Sequence, residues 1–138
     1  MPHASSNGDA HAIVLAAGGG RRFGGRKLLA DWQGAPLVTA AVRTALAAPV
    51  ARVTVVTGAD GGEVEAALAS LAGPRLAIAH NGRWQDGLAS SLRCGLDALP
   101  AGAERVVVFL GDMPAVAPDA AARVLDALTK GATAVLPH

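Results

Sequence analysis

Tyrosine is absent from this 138-residue chain, and phenylalanine and tryptophan occur only twice each. A core so poor in rings has to be built from small aliphatic side chains, and much of the 51% apolar content is Ala and Val. Cysteine occurs once, at Cys94, which excludes an internal disulfide and a thiolate metal cluster. The plain reading of Cys94 is a buried, reduced thiol on a helix, with a nucleophile as the alternative. No apolar run approaches the ~18 residues that a bilayer-spanning helix needs. An excess of one charge is missing too: 12 Lys and Arg stand against 11 Asp and Glu, a formal net charge of +1. Nothing global therefore points to nucleic acid or to a membrane surface as partner.

The length suits one domain with a real core, and 17% charged residues is ordinary for a globular protein. Residues 1–11 are polar and lack the charged start and apolar centre of a signal peptide. They are expected to form a loose, disordered leader before a domain over residues 12–138, in a cytoplasmic protein.

Strand and helix patterns alternate from there on. Residues 12–17 form a continuous apolar run, as a strand buried on both faces should. Further β-forming runs occupy residues 52–57, 76–79, 106–110 and 132–136. Between them lie helical patterns: residues 37–48, a stretch spaced by Val64, Leu68 and Leu71, and one spaced by Leu88, Leu92, Leu96 and Leu99. Asp86 is placed to cap that third helix, and Pro118 opens a fourth. The alternation predicts an α/β fold, a three-layer Rossmann-like sandwich with a mainly parallel sheet. Ligands of such sheets sit at the carboxyl ends of the strands.

Two segments fall at that edge. The first follows the first strand: Leu15, Ala16 and Ala17, then Gly18, Gly19 and Gly20, with Arg21, Arg22, Arg26 and Lys27 close behind. Residues without a Cβ let the backbone approach a phosphate, and successive N–H groups form an anion-binding nest. Arg22 and Lys27 would add charge to neutralise a triphosphate. No Gly-Lys-Ser/Thr follows, so this is not a P-loop, and the order does not give the dinucleotide fingerprint. A glycine turn with solvated arginines is the alternative. The second segment is the β run 106–110 followed by Gly111-Asp112-Met113-Pro114. A carboxylate there can hold Mg²⁺, a hard cation that prefers oxygen ligands and phosphate partners; a turn aspartate is the alternative.

Leu15-Ala16-Ala17-Gly18 with Arg22, Gly24 and Lys27 resembles the signature loop of the MobA-like nucleotidyltransferases. Gly111-Asp112-x-Pro114 resembles that family's metal position, and Asn81, Trp84, Asp86-Gly87, Ser91-Leu92 and Gly95-Leu96 resemble a stretch of its molybdenum cofactor cytidylyltransferase (MocA-like) branch. The resemblance implies a fold of the nucleotide-diphospho-sugar transferase type. It also implies that the loop, from Leu15 to Gly20, wraps the triphosphate of the incoming nucleotide. Arg22 and Lys27 would then hold phosphate oxygens, Asp112 would hold Mg²⁺, and Asn81, Gly87 and Ser91 would line the base and ribose pocket. Asn81 offers a donor and an acceptor to a base edge, against a plain Asn-Gly turn; for Ser90 and Ser91 the alternative is helix-surface solvation. Ala17, where the guanylyl branch typically has glycine, favours CTP over GTP, since its methyl group should crowd a purine.

The reaction so implied is transfer of CMP from CTP to a molybdopterin-type cofactor, with a molybdoenzyme or its chaperone as a further partner. Rival expectations are a nucleotidyltransferase acting on GTP or on a sugar or alcohol phosphate, a non-catalytic cofactor-binding chaperone for molybdoenzymes, and a regulatory nucleotide binder. Family members usually run further, with a Gly-His-Pro segment and acidic residues beyond this point. The chain is therefore expected to be a C-terminally truncated nucleotide half, prone to self-association and weak in turnover.

Overall fold

The computed structural model describes residues 10–17, 27–59, 61–111, 118–127 and 132–135. Five parallel strands form the main sheet: β1 (Ala10–Ala16), β4 (Arg52–Thr57), β5 (Leu76–His80), β6 (Arg105–Leu110) and β7 (Ala132–Val135). Their spatial order is β5-β4-β1-β6-β7. Four helices join or flank them: α1 (Leu37–Ala47), α2 (Gly61–Ala67), α3 (Leu88–Asp97) and α4 (Pro118–Ala127). The α/β reading from the sequence holds.

Strands β4 and β6 are rich in β-branched residues, which suit a pleated surface packed on both faces, while β1 is mostly alanine and other aliphatic residues. On one face Ala12, Val14, Val53, Val55, Val107 and Phe109 meet α1, α2 and α4 through Val38, Val42, Val64 and Leu125. On the other face Ile13, Leu15, Val56, Val106 and Val108 meet Trp84 and the α3 side chains Leu92 and Cys94. The period-two alternation along β1 thus feeds two cores. Helix α1 ends where Ala48, which precedes Pro49, turns extended at ψ 157°, as the residue before a proline should. Arg75 fastens the start of β5 by donating to the carbonyls of Leu46 (2.9 Å) and Val50 (2.8 Å).

Four details depart from the sequence reading. The first strand begins at Ala10, so Ala10 and His11 belong to the sheet rather than to a leader. A hairpin absent from that reading, β2 (Asp31–Trp32) with β3 (Ala35–Pro36), turns through Gln33 and Gly34, both at positive φ. Asp86 does not cap α3: the cap position is Gly87, without a side-chain bond, and Asp86 pairs with Arg83 at 3.8 Å. Helix α3 buries its leucine stripe only in part: Leu92, with Leu99 just past the helix, packs on the sheet. Leu88 is 62% exposed and Leu96 37%, while Ser91 and Gly95 face the sheet. A Cβ on Gly95 would lie 3.0 Å from methyl groups of Ile13 and Val56, so α3 approaches too closely for leucine and the leucines flank the contact.

Candidate functional site

The strand order reverses between β1 and β6. The chain runs from β1 outward to β4 and β5, then crosses to the other side of β1 for β6 and β7. In an open parallel sheet this switch point leaves a crevice at the carboxyl ends of the two strands. Both segments singled out from the sequence emerge there.

Leu15 pairs with Leu110 across the two strands. One residue further, Gly111 donates its N–H to the Leu15 carbonyl at 2.9 Å. A Cβ on Gly111 would meet that same oxygen at 2.9 Å and Leu28 Cδ2 at 3.2 Å. The 3₁₀ turn Lys27–Leu29 therefore sits against the end of β6, with Lys27 at its start. Three sequence-distant pieces converge: the root of the glycine segment, the turn opened by Lys27, and the residue before Asp112. Gly18, Gly19, Gly20, Arg22 and Asp112 themselves lie outside the described residues, as does the side chain of Lys27.

Leu15, Ala16 and Ala17 are described, and all three side chains are buried. Ala17 is 2% exposed and packs within the cluster that contains Trp84. Its methyl group is engaged in the core, so the steric argument from Ala17 to a preference for CTP has no footing in the structure. Gly58, just after β4, is pressed against it. A Cβ there would overlap the Ala17 carbonyl oxygen and approach Trp84 Cβ at 2.8 Å. Gly58 and Trp84 thus couple the end of β1 to the segment that follows β5.

In that segment Asn81 is 6% exposed and tightly held. Its backbone N–H donates to the Thr57 carbonyl at 2.8 Å. Its side-chain Nδ2 donates to the hydroxyls of Ser90 (2.8 Å) and Ser91 (3.0 Å), and its Oδ1 accepts the Arg83 N–H (2.9 Å). Ser90 passes its own proton to the Arg83 carbonyl at 2.9 Å. Both amide protons of Asn81 are therefore engaged within the chain, and Ser91, 3% exposed, is buried rather than solvated. Gly87 opens α3 at φ 107°, a backbone conformation that favours glycine. The structure thus gathers Asn81, Gly87 and Ser91 at one end of α3.

A cleft of about 570 Å³ runs from this network down the outer side of α3, lined by Asn81, Arg83, Arg93, Cys94 and Asp97 among others. Its charges are mixed. It lies towards the β5 edge, and the crevice between β1 and β6 is the better ligand site because the converging segments meet there. Burial, then the nearby Asp97 carboxylate, pushes the Cys94 thiol above the usual cysteine range. The S–H donates to the His80 carbonyl at 3.8 Å. His80 is held in turn, with Nδ1 3.2 Å from Thr57 Oγ1. The sequence reading passed over Gly58 as a functional position. The available signal for Gly58 was its place directly after a β run, the same as that of Gly111.

The profile of the MobA-like NTP transferase domain matches residues 12–138. The chain belongs to that family. It is 37% identical over 133 residues to the 2-C-methyl-D-erythritol 4-phosphate cytidylyltransferase of Streptomyces coelicolor, covering 91% of this chain and 48% of that relative. Among solved structures, a nucleotidyl transferase from Methanothermobacter thermautotroptrophicus superposes with a TM-score of 0.76 at 30% identity, over 86% of this chain and 57% of that one. A Mycobacterium tuberculosis protein solved in complex with manganese gives 0.65 at 30% identity, over 86% and 58%. The chain thus spans about half the length of the relatives it matches.

No described helix is long and apolar enough to cross a membrane. Among the described residues no group of three or more His, Cys, Asp or Glu is placed to hold a metal ion.

Proposed function

We propose that this chain carries the nucleotide-handling part of a nucleotidyltransferase that moves a nucleoside monophosphate from a pyrimidine nucleoside triphosphate to a phosphorylated sugar or sugar alcohol. The observation that carries the reading is the bond from Gly111 to Leu15, which brings the residue before Asp112 to the root of the glycine segment. The erythritol phosphate cytidylyltransferase relative supports both the cytidine nucleotide and the phosphorylated acceptor.

In the reaction an oxygen of the acceptor phosphate attacks the α-phosphorus of CTP in line with the bridging oxygen. That P–O bond breaks and pyrophosphate leaves. The backbone N–H groups of Gly18, Gly19 and Gly20, with Arg22 and Lys27, hold the triphosphate and stabilise the charge that develops on the leaving pyrophosphate. Asp112 has the oxygen donor chemistry of a Mg²⁺ or Mn²⁺ ligand and would hold such an ion, which when bound would help neutralise the charge of the phosphates. No protein nucleophile is required.

A second reading keeps the molybdopterin-type cofactor as acceptor and a molybdoenzyme or its chaperone as partner. What favours it is the middle motif, which the bonds of Asn81 to Ser90 and Ser91 draw into one cluster. The relatives described above favour the phosphorylated sugar alcohol. Pyrophosphate release with CTP, UTP, GTP or ATP, in Mg²⁺ or Mn²⁺, separates the readings when run with 2-C-methyl-D-erythritol 4-phosphate, with sugar 1-phosphates and with molybdopterin. Release that depends on a phosphorylated polyol supports the first reading, and release only with molybdopterin supports the second. Release with none of these acceptors removes both.

A further inference from the structure

We propose that Asn81 is a positioning residue that holds the entrance of α3 in shape, and that it does not read the nucleotide base. The inference rests on the nucleotidyltransferase reading. A side-chain amide that reads a base edge presents its donor and its acceptor together. Asn81 has no donor left to present: both Nδ2 protons go to Ser90 and Ser91, and Oδ1 is already turned to the Arg83 N–H. The same residue ties two strands and a helix. Its N–H closes on Thr57 at the end of β4, its carbonyl accepts the Trp84 N–H at 3.3 Å, and its amide reaches the first turn of α3. Ser90 completes a ring by donating to Arg83. Trp84, set by this ring, packs on Gly58, and Gly58 packs on Ala17 at the foot of the glycine segment. Asn81 therefore fixes the spatial relation between the two halves of the nucleotide site through its neighbours.

Ser91 Oγ accepts from Asn81 and is itself buried against the sheet, so it belongs to the ring and not to a surface that meets the base.

The test compares dissociation constants of CTP and UTP for the full chain and for Asn81→Ala, Ser90→Ala and the double variant, each well below its melting temperature. Positioning is expected to weaken CTP and UTP by the same factor, about tenfold or more, because displacement of a contact by a fraction of an ångström is costly. The double variant is expected to lose little beyond Asn81→Ala, since one ring connects both residues. A tryptophan emission shift in a Trp32→Phe background would report the loosened seat of Trp84. If Asn81→Ala does not fold, Ser90→Ala removes a single bond of the ring and carries the comparison. A change of about tenfold or more in the CTP to UTP ratio would make Asn81 a base reader and overturn the proposal. So would unchanged affinities in a folded Asn81→Ala of lowered melting temperature, the mark of a role in stability alone. Absence of saturable binding of either nucleotide by the unsubstituted chain would instead defeat the nucleotidyltransferase reading, and this inference with it.

Discussion

Gly111 donates its N–H to the carbonyl of Leu15 at 2.9 Å, joining the residue just after β6 to the strand that leads into the glycine segment. The bond requires close approach, because a Cβ on Gly111 would meet that same carbonyl oxygen at 2.9 Å. The chemistry assigned to Asp112 and to the glycine segment depends on this junction, and the first expectation concerns it.

Alanine substitutions at three glycines should rank by what the new methyl group meets. Gly58→Ala is expected to be the most damaging, because the methyl overlaps the Ala17 backbone oxygen. Gly111→Ala should follow, at about 1–3 kcal/mol, the usual cost of overpacking. Gly95→Ala should be mildest, since its neighbours are the side-chain methyl groups of Ile13 and Val56. Thermal denaturation of the three variants gives the order. A Gly58→Ala as stable as the unsubstituted chain would contradict the packing described here.

The strands were legible because β4 and β6 are dense in β-branched residues and β1 carries a continuous apolar run, and the helices because their apolar residues recur at helical spacing. The sheet order placed Leu15 beside Leu110, and with it the two motifs that the sequence had suggested separately. Less visible were features decided by close packing. The leucines of α3 marked its buried face only in part: Leu92 packs on the sheet, but Gly95 lets the helix come so near that Ser91 and Gly95 take the centre of the contact. Asn81 looked like a free amide because its partners Ser90 and Ser91 are nine and ten residues away, and no local pattern joins them. The hairpin of β2 and β3 escaped notice because its strands are two residues each.

Asp112→Asn should keep the fold and substantial nucleotide affinity while removing most turnover, because asparagine preserves size and loses the charge that holds a divalent ion. Circular dichroism, CTP binding and pyrophosphate release measured on one preparation check this. Turnover near that of the unsubstituted chain would remove the metal role of Asp112.

Lys27→Ala and Arg22→Ala should each weaken binding of CTP more than binding of cytidine. Hydrogen bonds to charged groups are worth roughly 1.5–3 kcal/mol, and cytidine offers no phosphate to lose them from. Calorimetric titration with both ligands measures the difference. Equal losses for CTP and cytidine would assign these residues to the base or to folding.

Cys94 should react with iodoacetamide with a pH midpoint above that of a free thiol. Burial first and the Asp97 carboxylate second disfavour its thiolate, so the folded state holds the proton more tightly than the unfolded one. The corresponding stability is present below the unfolded thiol's pKa and is lost as pH rises through the folded one. Asp97→Asn should lower the midpoint only part of the way, because burial remains. A midpoint at or below that of the free thiol would contradict the description of this side chain.

The central claim is that a nucleoside monophosphate moves to a phosphorylated acceptor, and the fate of labelled phosphorus tests it most directly. The full chain is incubated with Mg²⁺, 2-C-methyl-D-erythritol 4-phosphate and CTP labelled at either the α- or the γ-phosphorus. In-line attack at the α-phosphorus sends the α-label into the acceptor product and the γ-label into pyrophosphate. Transfer of the γ-label to the acceptor, or its release as orthophosphate, would make the chain a kinase or a hydrolase and contradict the account.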